Sequence, residues 1–152
     1  MAGPTPTVVT VEETLEGKFV QQMQSGPHLL VADEPEDLGG DNLGPGPYEY
    51  LLMALGACTG MTIRMYADRK EIPLDKVRVI LSHQKVHARD CEDCESKEGK
   101  VDEIVREITL EGSLTGEQRQ MLLDIANRCP VHNTLTSEIL VRSRLSSRTT
   151  TS

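Results

Sequence analysis

Hydrophobic positions along this chain recur every second residue in several short stretches and every third or fourth residue in two longer ones. That contrast predicts its elements. Val8, Val9 and Val11 mark a strand within Thr7–Leu15, Phe19–Met23 alternates as a second, and His28–Ala32 reads as a third. The turn residues Glu16-Gly17 and Ser25-Gly26-Pro27 join them into an antiparallel meander. Asp33–Pro47 follows neither period and is dense in Gly, Pro and Asp. An irregular stretch of that length inside a compact domain points to function.

The longest helical pattern runs over Tyr48–Glu71, where Leu51, Leu55, Cys58, Thr62 and Tyr66 fall at three- and four-residue steps. Pro47 precedes it and Pro73 follows it. Gly56 and Gly60 lie inside it on either side of Cys58. Each costs about 1 kcal/mol against Ala, which implies that something approaches the backbone there. Lys76–His87 is a predicted strand with Val77, Val79, Leu81, His83 and His87 on one parity. Val101–Glu111 is another, and the two predict a hairpin with a long polar tip over Cys91–Lys100.

Thr115–Arg128 forms a second amphipathic helix, with Thr115 and Gln118 as a capping box. Pro130 ends it and can open a short helix through Leu135. Glu138–Leu145 reads as a last strand, and 146–152 as a polar tail without order. Residues 1–145 thus form one expected domain. The mixed order of strands and helices, with no regular alternation of parallel units, gives an α+β class.

Composition narrows the partners. Only three Tyr and one Phe are present, so the core of this 152-residue chain must rest on aliphatic side chains. The net charge of -8 repels phosphate backbones and argues against nucleic acid. No apolar run approaches the ~20 residues that span a bilayer, and the first residues lack a signal-peptide pattern. The expected setting is cytoplasmic, with thiols reduced at rest. Four cysteines there read as chemistry or metal before they read as a disulfide frame.

Cys58 lies on the apolar face of the long helix, where a buried inert cysteine is the plain alternative. Cys129 precedes Pro130 and becomes the N-cap of the short helix, where the helix dipole lowers a thiol pKa. His132, three residues on, can lower it further, or can be a packing residue. Two thiols that meet in space can run a redox cycle of sulfenic acid, disulfide and reduction. That cycle needs Cα atoms within about 7 Å.

Gly44-Pro-Gly-Pro-Tyr-Glu-Tyr-Leu-Leu-Met-Ala-Leu-Gly-Ala-Cys-Thr-Gly-Met-Thr62 resembles the central-helix signature of the OsmC/Ohr family. Cys129-Pro-Val-His-Asn-Thr-Leu135 resembles that family's second cysteine motif. The resemblance implies antiparallel sheets wrapped around two central helices in an intertwined homodimer. It implies reduction of organic hydroperoxides at the expense of a dithiol reductant, with Cys58 peroxidatic, Cys129 resolving, and no required cofactor. Glu49 matches the glutamate that accompanies the reactive cysteine. On one straight helix Glu49 and Cys58 would lie about 13 Å apart along the axis, so a kink or the partner subunit would have to bring them together. The departure is an arginine. Family peroxidases carry one in the N-terminal half to hold the thiolate, whereas the first arginine here is Arg64, on a different face from Cys58. Lys18 and Arg128 are the other candidate cations.

His83, His87, Cys91 and Cys94 form a second constellation, with the N₂S₂ composition of a zinc site. On a regular strand the two histidines are about 13 Å apart, so a bulge or a second chain would be needed. A redox CxxC and a solvated, acid-rich hairpin tip are the alternatives. Three functions therefore compete: a thiol peroxidase, a ligand-binding or redox-sensing protein on the same scaffold, and a metal-dependent role at the hairpin.

Overall fold

The computed structural model describes residues 5–147, so the end of the predicted tail lies outside it. The chain folds as two compact units, Met1–Ala54 with Leu81–Arg106, and Leu55–Ile80 with Glu107–Ser152. In chain order the elements are β1 (Thr10–Glu13), β2 (Gln21–Ser25), β3 (His28–Ala32), α1 (Pro47–Arg69), β4 (Leu74–His87), β5 (Lys100–Gly112), α2 (Gly116–Ala126) and α3 (Pro130–Leu135). The α+β class and the antiparallel sheets agree with the sequence pattern. Among the described residues no helix is long and apolar enough to cross a membrane.

In the first unit, β1, β2 and β3 form the expected meander, with Val11 opposite Met23 and Met23 opposite Leu30. The Asp33–Pro47 loop is more ordered than its composition suggests. It contains a 3₁₀ turn at Glu36–Leu38 and is organised by Asp33. That carboxylate is buried and accepts N–H bonds from Glu34 (2.8 Å), Asp41 (3.1 Å) and Leu43 (3.1 Å). Burial pushes its pKa up, but the three N–H donors outweigh burial and hold it below the ordinary value. Gly44 packs so tightly on the Val31 carbonyl that a Cβ there would collide with it. Tyr50 donates its hydroxyl to the same carbonyl, fastening α1 to the end of β3.

In the second unit the core is aliphatic, as composition requires. Ile63, Ala67, Ile72, Leu74, Leu122 and Ala126 form one buried cluster, flanked by Tyr66, Val77, Ile108, Leu110 and Leu114. Helix α1 ends where Glu71 turns left-handed (φ 54°) and Ile72 N–H reaches back to Ala67 C=O at 2.9 Å. Helix α2 begins with the predicted capping box, both bonds between Thr115 and Gln118 being formed.

Two expectations fail. The predicted strand Glu138–Leu145 is not formed. A strand needs a neighbour for its N–H and C=O groups, none pairs with it among the described residues, and Leu140 and Leu145 are 72% and 98% exposed. Along β4 the alternation holds through His83 and then shifts by one, leaving Val86 half-buried and His87 exposed.

Leu122→Ala is expected to lower the unfolding free energy by about 3 kcal/mol, measured by urea denaturation. Asp33 releases its proton below the ordinary 3.8. It therefore stabilises the fold above that value, and this stabilisation is lost as pH falls through the folded pKa. Asp33→Asn should flatten the acid limb of a stability–pH profile below about pH 4.

Candidate functional site

Helix α1 carries Cys58 on the side that also bears Leu55, Thr59 and Thr62, all of them buried or half-buried. The break after α2 positions the second cysteine. Pro130 cannot continue α2 but suits the first position of a new helix, so Cys129 becomes the N-cap of α3. The structure brings the two sulfurs together. Both are free thiols, close enough to shift one another's ionisation, Cys129 fully buried and Cys58 partly open.

The two thiols differ electrostatically. Burial pushes Cys58 up, and its hydrogen bond to Cys129 and the charge there push it further. Burial would also raise Cys129, but donors converge on its sulfur and pull it below the ordinary thiol value. They are the Cys58 thiol, the backbone N–H of His132 at 3.3 Å, the Thr59 hydroxyl 3.9 Å away and the Val131 backbone. Of the two, Cys129 is therefore the stronger acid and Cys58 the weaker. Sequence reasoning had left this order open. His132 acts on the sulfur through its main chain, where a side-chain effect had been expected.

The donors named on Cys129 are uncharged, which bears on the missing arginine. Arg64 is engaged elsewhere, donating to the Leu74 (2.7 Å) and Asp75 (3.0 Å) carbonyls and pairing with Asp68. Lys18 lies over the Phe19 ring. Arg128 instead borders a cavity of about 440 Å³ with Thr62, Met65, Tyr66, Arg69, Ile125 and Pro130. Neither cysteine lines that cavity, but Thr62 stands one helical turn beyond Cys58 and Pro130 directly follows Cys129. No other part of the described chain comes within contact distance of where a Gly60 Cβ would be. The backbone approach inferred from that glycine is therefore not made among the described residues.

Glu49 sits in the first turn of α1 and accepts the Gly46 N–H at 2.7 Å. It acts there as a helix-start acceptor. Nine residues of α1 separate it from Cys58 along the chain.

The His83, His87, Cys91 and Cys94 set is not assembled. Cys91 and Cys94 are joined as a disulfide, contrary to the expectation of reduced thiols throughout. His83 bonds Asp102 at 2.8 Å and stacks on Tyr48 at 4.7 Å, while His87 is exposed. Among the described residues no three His, Cys, Asp or Glu side chains are arranged to hold a metal. Sequence reasoning missed Asp33 and Asp102. The first is recognisable only as an Asp at the junction of an apolar strand and a Gly-rich loop, and the second by no local signal.

The sequence matches the family model described as OsmC-like protein over residues 39–144, which include both cysteine motifs. The chain belongs to the OsmC-like protein family. Solved structures share its fold at low identity. A proposed osmotic stress induced and detoxification response protein from Psychrobacter arcticus 273-4 is 17% identical with a TM-score of 0.67, covering 88% of this chain and 91% of that one. The organic hydroperoxide resistance protein OsmC of Legionella pneumophila is 18% identical with a TM-score of 0.63, covering 89% and 92%. An organic hydroperoxide resistance protein from Elizabethkingia anophelis is 18% identical with a TM-score of 0.62, covering 90% and 91%. No curated protein matches. Cys58 and Cys129 both lie in the unit made of Leu55–Ile80 and Glu107–Ser152.

In a thiolate-absorbance titration, the first group to ionise should be Cys129. Cys58→Ser replaces the sulfur donor and should shift that titration, whereas Cys129→Ser should bring Cys58 down toward the ordinary thiol value. A Cys58 that titrates first in the unmodified protein would contradict the assignment.

Proposed function

We propose that this OsmC-like protein is a thiol peroxidase that reduces organic hydroperoxides. The observation that carries the proposal is the paired Cys58 and Cys129 thiols, one reachable and one buried, beside a mostly apolar cavity.

Access assigns the roles. Cys129 ionises the more readily of the two but is sealed, so a peroxide meets Cys58. Proton transfer across the S–H···S contact makes Cys58 the thiolate and Cys129 the thiol. The Cys58 sulfur attacks the distal peroxide oxygen and the O–O bond breaks. Cys58 becomes a sulfenic acid and the organic alkoxide leaves, taking a proton to become the alcohol. Cys129 then attacks the Cys58 sulfur, expelling hydroxide, which leaves as water with the Cys129 proton. A dithiol reductant opens the new bridge and is itself oxidised to a disulfide. Met65, Tyr66, Ile125 and Pro130 give the organic part of the substrate an apolar wall.

A binding or redox-sensing protein on this scaffold is the second reading, favoured by the lack of any arginine before Arg64. A cytoplasmic setting and a homodimer belong to the same proposal. Helix α1 exposes Met53, Met61 and Met65, and the unpaired segment around Leu140 and Val141 is apolar, surface that a second copy would cover.

With a dithiol present, the protein should consume an organic hydroperoxide, and Cys58→Ser should reduce the rate about a thousandfold. One equivalent of hydroperoxide without reductant should give a Cys58–Cys129 bridge in a mass-mapped digest. Ligand-dependent stabilisation without turnover would support the second reading.

A further inference from the structure

The Cys91–Cys94 bridge is not used by that cycle. It closes a loop of four residues at the tip between β4 and β5, just after the 3₁₀ turn Ala88–Asp90. A cross-link this local removes little freedom from the unfolded chain compared with one that spans a long loop. Staple function is therefore a weak reason for it. The same chain keeps its other two cysteines as free thiols, and a disulfide in that company is usually a working one.

The tip is built so that the bridge can open without the fold opening. Ala88 N–H bonds the Gly99 carbonyl at 2.9 Å and Cys91 N–H bonds the Ala88 carbonyl at 3.2 Å, holding the chain independently of the sulfurs. Both cysteines are partly exposed, and Cys91 borders a hollow of about 480 Å³ that can admit an attacking thiol.

The surroundings choose the partner. Residues 90–95 read Asp-Cys-Glu-Asp-Cys-Glu, and from Lys85 to Glu103 seven carboxylates face four Lys and Arg side chains. One of the cations, Lys85, is tied to Asp102 at 2.9 Å. A thiolate approaching this tip meets a negative field unless its carrier is positively charged.

We propose that Cys91–Cys94 is a second thiol–disulfide exchange site, whose partner is a thiol or dithiol borne on a positively charged carrier. The partner thiolate attacks one sulfur of the bridge, forming a mixed disulfide and releasing the other cysteine as a thiolate. A second partner thiol attacks the mixed disulfide and leaves as the partner's own disulfide. Two electrons pass from the partner to the protein, and two protons settle on Cys91 and Cys94.

The test uses the full-length, air-oxidised protein and three small thiols of similar size: cysteamine, 2-mercaptoethanol and 3-mercaptopropionate. Opening of the bridge is followed by alkylation and peptide mapping under native conditions, with rates normalised to thiolate concentration. The expected order is cationic, neutral, anionic. Cysteamine should lead mercaptopropionate by about tenfold at low salt, and the gap should close to about twofold near 1 M salt. Far-ultraviolet circular dichroism should not change when the bridge opens. Three results would overturn the proposal: Cys91 and Cys94 alkylating before any thiol is added, a bridge that opens only after unfolding, or rates indifferent to thiol charge. None of these depends on peroxide turnover, so the outcome stands apart from the fate of the peroxidase reading.

Discussion

The close approach of Cys58 and Cys129 is the interaction on which the rest of the site depends. A thiol and a thiolate in contact share one proton, and the environment decides which sulfur keeps it. Here the decision is made by neutral groups around Cys129. The main chain at the start of α3 points N–H groups at its sulfur, and Thr59, buried against α1, presents a hydroxyl. The sealed sulfur is thereby made the more acidic of the pair and the accessible one the less acidic.

That arrangement costs little in stability because the groups supporting it are already structural. Thr59 has a single hydroxyl proton, held chiefly by the Leu55 carbonyl at 2.7 Å, so its 3.9 Å contact with the Cys129 sulfur is the weaker one. The α3 N–H groups need acceptors in any case. The aliphatic cluster around Ile63 and Leu122 fixes α1 and α2 within the same unit, and the chain that joins α2 to α3 holds Cys129 in place. Chemistry and packing therefore use the same residues, so a core substitution near Ile63 would disturb the thiol pair as well as the fold.

The hairpin tip shows how composition can suggest a group without deciding its state. His83, His87, Cys91 and Cys94 have the chemistry of a zinc set, but strand geometry keeps the histidines apart, and each member has other business. His83 is taken by Asp102 and Tyr48, and the two cysteines by each other. The spacing of Cys91 and Cys94 was legible. What was not legible was Asp102, nineteen residues from His83 in sequence, or the shift in alternation that turns His87 outward.

By itself the sequence determined the local features, because each rests on neighbours along the chain. These include the meander with its turn at Gly26-Pro27, the capping box of α2, the break at Pro130 and the N-cap position of Cys129. The OsmC-like resemblance was legible in the same way, since its motifs are contiguous. Tertiary structure alone decided which distant groups meet. It set Cys129 against Cys58 and Thr59, turned Asp33 inward to collect three N–H groups, and left Glu49 at the start of its own helix. It also left Glu138–Leu145 unpaired, since alternation can prepare a strand but only a partner can complete it. The physical reason is common to all of these: turns and caps are satisfied within a few residues, whereas buried charge, shared protons and sheet ladders are satisfied only by what folding brings alongside.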